Sequence, residues 1–172
     1  MSEGIIYCLD TNFFIEAWNK YYSPKFCSDY WNVIEDLAKK DLIFIPQAVR
    51  DEIYKTDDEL SKWLKREIVP VRPLSEKVSE CLRAIYAKDE KHKRLVDSSK
   101  GRSLADPWVI AHAMNERAIV VTKEEKVTNP GSDKIKIPNV CDAMDVKWMN
   151  DFEFIRRMNI QFKCSIVTTA EV

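Results

Sequence analysis

The stretch Ile5-Ile6-Tyr7-Cys8-Leu9-Asp10-Thr11-Asn12 runs five apolar residues into an acid and then two small polar residues. A short unbroken apolar run predicts a strand buried on both faces, with Asp10 at its carboxyl end. Phe13, Phe14, Ile15, Ala17 and Trp18 follow at helical spacing. The pattern repeats downstream. Leu42-Ile43-Phe44-Ile45 predicts a second strand, stopped by Pro46, and Pro46 suits the first turn of a helix carrying Val49 and Ile53. Ala118-Ile119-Val120-Val121, ending at Thr122, is the clearest strand. Ile68 to Val71 is weaker, and Pro70 favours an edge position. Residues 146–149 offer a fifth strand.

Between these strands the periodicity is helical. Residues 28–39 form one helix, and Leu60, Trp63 and Leu64 extend the pattern begun at Pro46 after a polar break. A long helix is expected over residues 75–95, then a polar loop over 98–102 and a helix starting at Asp106-Pro107. Short helices are expected near Val140 and from Phe152 to Met158. Apolar strands alternating with helices imply a mostly parallel sheet of about five strands in a three-layer α/β/α sandwich. Residues 1–165 read as a single domain and 166–172 as a tail.

Composition bounds the function. With 172 residues, 45% hydrophobic and 32% charged, the chain has an ordinary globular composition. No apolar run approaches the roughly 18 residues that span a bilayer. The first residues show no leader peptide, so a cytoplasmic protein is expected. A net charge of −1 confines any nucleic-acid contact to local patches. The five cysteines, at 8, 27, 81, 141 and 164, have no CxxC spacing and are expected to be reduced. Three glycines without a G-x-G-x-x-G pattern exclude a dinucleotide loop.

In parallel sheets, ligands bind outside the carboxyl ends of the strands. The residues there are acids: Asp10 after the first strand, Glu52 about a helical turn after the second, Asp106 at a helix start, and Glu124 and Glu125 after the strand ending at Val121. Carboxylates gathered at one edge repel each other. Mg²⁺ or Mn²⁺, which prefer oxygen ligands, would relieve that repulsion and could activate water on a phosphodiester. Each acid also has a plainer use. Asp10 and Asp106 are good helix caps, and Glu52, Glu124 and Glu125 are ordinary surface acids. The sequence leaves both uses open.

Four stretches together resemble the PIN-domain family. They are Leu9-Asp10-Thr11-Asn12, Pro46 to Ile53 with Glu52, Ala105-Asp106-Pro107 to Ala113, and Ala118 to Glu124. The match runs in order over residues 5–160 and looks closest to a branch grouped with VapC-like toxin ribonucleases, to which Trp18 to Trp31 and Lys136-Ile137-Pro138-Asn139-Val140-Cys141 are similar. The resemblance implies a metal-dependent endoribonuclease. Asp10, Glu52, Asp106 and Glu124 would be the catalytic metal ligands, with Glu125 as the alternative fourth acid and Thr11, Asn12 and Thr122 in support. It also implies an RNA substrate, a cognate antitoxin and a possible homodimer. One departure is Lys123, which stands between Thr122 and the fourth acid. Lys91, Lys93, Arg94, Lys100 and Arg102 could grip RNA phosphates or simply be a solvated, charge-balanced helix end. Two other readings remain: a PIN fold that binds RNA or protein without cutting, and an aspartate-nucleophile phosphatase, for which Asn12 stands where a second aspartate is needed.

Overall fold

The computed structural model describes residues 4–96 and 103–166. Lys100 and Arg102, and the tail beyond Ile166, lie outside them. Five strands form one parallel sheet in the order β3-β2-β1-β4-β5. They are β1 (Tyr7–Leu9), β2 (Ile43–Pro46), β3 (Val71–Arg72), β4 (Ile119–Val121) and β5 (Trp148–Met149). β1 lies at the centre, pairing Tyr7 with Ile43 of β2 and with Ile119 of β4. β3 is an edge strand, as Pro70 predicted.

The period-two alternation of a strand sends neighbouring side chains to opposite faces, and the contacts of β1 follow it. Tyr7 meets Phe154 of α8 (Asp151–Arg157) edge to face at 5.0 Å, and Phe154 in turn meets Phe13 of α1 (Thr11–Glu16). Cys8, one residue on, donates its thiol to the Val109 carbonyl of α6 (Asp106–Glu116) on the other side. Helices therefore cover both faces, and α5 (Glu76–Lys88) packs along α6. Cys8, Leu9, Ile43, Ile45, Val120 and Val121 are fully buried, which explains why the central strands read as unbroken apolar runs.

A second layer of packing is aromatic. Trp18, Trp31 of α2 (Ser28–Lys39) and Trp63 of α4 (Glu59–Leu64) interlock at centroid distances of 4.6–6.0 Å. This cluster is served by one turn of π-helix, Ala17–Tyr21, which the helical pattern did not reveal.

Two expected helices are divided. The helix begun after Pro46 is α3 (Gln47–Tyr54), and α4 starts anew because the Asp58 carboxylate caps the Ser61 N–H at 2.8 Å. The helix expected to reach Leu95 ends at Lys88. Asp89 takes an extended conformation and accepts from the Lys91 N–H, and a 3-10 segment, Glu90–Leu95, follows. Residues 134–136 belong to no strand or helix, and Ile137 opens α7 (Ile137–Ala143). All five cysteines are free. No helix among the described residues is long and apolar enough to cross a membrane.

Candidate metal centre at the carboxyl edge of the sheet

The strand order reverses direction at β1 and β4, and the crevice outside their carboxyl ends is where an open parallel sheet offers a binding site. The residues immediately after these two strands are Asp10 and Thr122, and the structure binds them together. The Thr122 hydroxyl donates to Asp10 Oδ2 at 3.0 Å. Asp10 Oδ1 accepts the Thr11 N–H at 2.6 Å, so Asp10 is also the N-cap of α1. The cap and the bond to Thr122 use different oxygens of Asp10. Its side chain is fully buried.

Glu52 reaches the same edge from α3. One carboxylate oxygen accepts the Thr11 hydroxyl at 2.7 Å, and the other accepts the Ala105 N–H at 3.0 Å, just ahead of Asp106. Asp51 beside it is exposed and paired with Arg50, so Glu52 is the acid that turns inward. Asp106 is the first residue of α6 and 5% exposed. Glu124 returns along the loop after β4. Its N–H donates to the Thr122 hydroxyl at 3.1 Å, while its carboxylate accepts from Lys136 Nζ at 2.5 Å and from the Ile137 N–H at 2.9 Å. Glu125 is exposed.

The electrostatics identify these acids as one group. Burial lifts the Asp106 carboxyl well above the usual carboxylate range, and Asp10, Glu124 and Glu52 lift it further. Burial also raises Asp10, with Glu124 and Glu52 adding to the rise and the Thr122 and Thr11 hydrogen bonds opposing it. No cation among the described residues forms an ion pair with Asp10 or Asp106. An all-oxygen donor set of this charge suits a hard divalent ion. Among the described residues, however, no three His, Cys, Asp or Glu side chains already stand at ligating spacing. Asp10, Glu52 and Glu124 each have both oxygens engaged by donors, and Asp106 is buried beside them.

Not every residue singled out in the sequence comes to this centre. Asn12 is exposed and makes no hydrogen bond to an acid. Lys93 is neutralised by Glu90 and Arg94 by Asp133, both at 2.7 Å, and Lys91 is exposed beyond Asp89. Neither histidine belongs to the centre. His92 is buried against the Ile85 carbonyl, and burial followed by Arg72 pushes His112 down to about 4.

Lys123 is accounted for by the bend that follows β4. Thr122 and Glu124 turn towards the acids, whereas the ammonium of Lys123 meets Asp151 at 2.5 Å beneath the rings of Tyr21 and Phe152. Lys136 was quoted in the sequence motif without a role. The signal that could have found it is a lysine ahead of Ile137-Pro138, where a helix starts facing the strand edge. Asn139 fixes that start by accepting the Lys136 N–H while bonding Val127 in both directions.

A family model described as a domain of unknown function, DUF4411, matches residues 7–162. No match is found among curated proteins. The fold is similar to three solved structures. VapBC2 from Rickettsia felis, bound to a DNA fragment from their promoter, aligns at 22% identity and a TM-score of 0.54, covering 85% of this chain and 98% of that one. VapBC-1 from nontypeable Haemophilus influenzae aligns at 18% identity and 0.54, with coverages of 85% and 98%. FitAcB from Neisseria gonorrhoeae aligns at 16% identity and 0.50, with coverages of 86% and 99%. The α/β fold is PIN-like, as the motifs implied.

Proposed function

This chain belongs to the DUF4411 family, and we propose that it is a metal-dependent endoribonuclease acting as the toxin of a toxin–antitoxin pair. The observation that carries the reading is the pair Asp10 and Asp106. Both are buried, both have carboxyl groups raised by burial and by neighbouring acids, and neither has a cationic partner among the described residues. A protein retains such a destabilising pair where a function uses it. The likeness in fold to the VapBC and FitAcB structures supports a cognate antitoxin as partner. The RNA substrate and the possible homodimer rest on the family resemblance.

Asp10, Asp106, Glu52 and Glu124 would hold Mg²⁺ or Mn²⁺, with Glu125 as the alternative fourth acid. The bound ion would supply Lewis-acid activation of water and neutralise charge developing on the phosphate. The chain's own residues keep the centre in order. Thr122 and the Thr11 N–H fix both oxygens of Asp10, and Thr11 and the Ala105 N–H fix Glu52. No histidine is available as a general base, so attack by water is favoured over attack by the 2′-hydroxyl. The expected products carry 5′-phosphate and 3′-hydroxyl ends.

The test is cleavage of a mixed RNA pool with Mg²⁺ or Mn²⁺ and with EDTA, beside Asp10→Asn and Asp106→Asn. Cutting that needs metal and is lost in both variants bears the reading out. Release of 2′,3′-cyclic phosphate ends sinks the water mechanism. A second reading, a PIN fold that binds RNA or a protein without cutting, is favoured by the engagement of Glu124 with Lys136 and Ile137. Binding of RNA with no cutting under any metal would establish it.

A further inference from the structure

The acid group contains its own cation. Lys136 Nζ lies 2.5 Å from one oxygen of Glu124, and the N–H of the next residue, Ile137, holds the other oxygen at 2.9 Å. The carboxylate of Glu124 is 8% exposed, so this pair sits inside the rim of the centre and not on an open surface. The same ammonium interacts electrostatically with Asp106 and Asp10. Each Glu124 oxygen therefore already accepts one donor, and a metal ion placed at Glu124 would sit beside the Lys136 ammonium and be repelled by it. The Lys136 side chain keeps 43% of its surface in solvent, and an ammonium has three N–H donors, of which Glu124 takes one. The remaining donors are available to an anion entering the crevice.

We propose that the Lys136 ammonium occupies the seat of a second cation in this centre and contacts a non-bridging oxygen of the scissile phosphate, so that the centre operates with a single divalent ion. The inference rests on the ribonuclease reading above for the identity of the phosphate. The physical case is one of charge and position. Four carboxylates around one dication retain excess negative charge, which would repel an RNA backbone. A lysine on the Glu124 side reduces that excess where the phosphate must approach. Lysine suits this place because its charge is compact and its donors rotate, so one ammonium can hold Glu124 and still reach an entering anion. The loop carrying Lys136 is anchored by Asn139 to Val127 on both its N–H and its carbonyl, so the ammonium is delivered from a fixed backbone.

The experiment is a Mn²⁺ titration followed by electron paramagnetic resonance on the whole protein without RNA, for wild type, Lys136→Arg, Lys136→Met and Lys136→Gln. Thermal melts verify folding, and two neutral variants guard against loss of one. Wild type and Lys136→Arg are expected to bind one Mn²⁺ per chain, and the two neutral variants two. In cleavage assays Lys136→Met is expected to lose about a hundredfold in rate at low Mn²⁺, the scale of removing one transition-state charge contact. Its rate should then rise with the square of Mn²⁺ concentration where wild type rises linearly. Unchanged Mn²⁺ stoichiometry and affinity in both neutral variants overturns the seat. An unchanged cleavage rate in Lys136→Met overturns the phosphate contact. If wild type cuts no RNA yet the neutral variants gain an ion, the seat stands and the ribonuclease reading falls.

Discussion

Asp106 and Asp151 are the first residues of their helices, α6 and α8, and both are buried at the same edge of the sheet, 5% and 4% exposed. Their surroundings are opposite. Asp151 faces Lys123 at 2.5 Å, and the aromatic rings of Tyr21 and Phe152 flank that ammonium at 4.2 and 5.3 Å. Asp106 is buried among three more acids and has no ion-pair partner among the described residues, the charge of opposite sign in its surroundings being Lys136, which is bonded to Glu124. One aspartate is a completed ion pair that joins the end of β4 to α8. The other has no ion-pair partner among the described residues. A buried charge is tolerated when its partner is built in, and it points to a ligand when its partner is missing.

The largest expected contrast comes from removing each charge in turn. Asp106→Asn should lower RNA cleavage by at least about a hundredfold, as loss of a transition-state charge contact does. In EDTA at mildly alkaline pH the same variant should melt at a higher temperature than wild type, because a repulsive charge has gone. Asp151→Asn should behave in reverse. It strands a buried ammonium, costing about 3 kcal/mol, and melts well below wild type, as calorimetry would read. If both variants lose stability alike, the distinction between the two aspartates is wrong.

The pH dependence sharpens the comparison. The folded-state carboxyls of Asp10 and Asp106 are raised above their unfolded values. Their contribution to stability is therefore present at low pH and is lost as pH rises through the raised values. The metal-free protein should melt lower at mildly alkaline than at mildly acidic pH. Saturating Mg²⁺ should raise the melting temperature more at the alkaline end, because it binds the ionised acids of the folded state. An equal Mg²⁺ effect at both pH values would contradict this.

Smaller effects test the supports. Thr122→Val removes the hydroxyl that bonds both Asp10 and the Glu124 N–H, at a cost of about 1–3 kcal/mol. It also removes a bond that favours ionised Asp10, so the pH profile of cleavage should move to higher pH. Glu125→Gln should change neither cleavage nor melting, whereas Glu124→Gln should change Mn²⁺ affinity. A loss in Glu125→Gln matching that of Glu124→Gln would mean the exposed acid takes part.

The sequence made the centre partly legible for identifiable reasons. β1, β2 and β4 are buried on both faces, so their apolar runs and the acids closing them stand out. Asp10 and Asp106 are adjacent to such landmarks, and of the neighbouring acids Asp51 and Glu52 it is Glu52 that stands in register with the family motif. The turn at Asp89 was hidden because the apolar spacing of α5 continues through Leu95, while the capping that ends the helix depends on one side chain. Lys123 reads as an interruption of a motif, since its direction is set by a bend beyond the end of β4 and its partner Asp151 lies 28 residues on. Lys136 stands in a stretch similar to the family branch but shows no role there, because its partner is fixed by the path of a loop without periodicity.

The bonds that assemble the centre are distant along the chain: Thr11 to Glu52 spans 41 residues, Glu52 to Ala105 spans 53, and Asp10 to Thr122 spans 112. During synthesis, which runs from the amino end, Asp10 leaves the ribosome long before the hydroxyl that orients it, and Lys136 later still. A nascent chain thus carries every acid but Glu124 before it can hold them together. A cutter of RNA, as proposed, would therefore gain its centre only after Thr122, Glu124 and Lys136 have followed the other acids out of the ribosome.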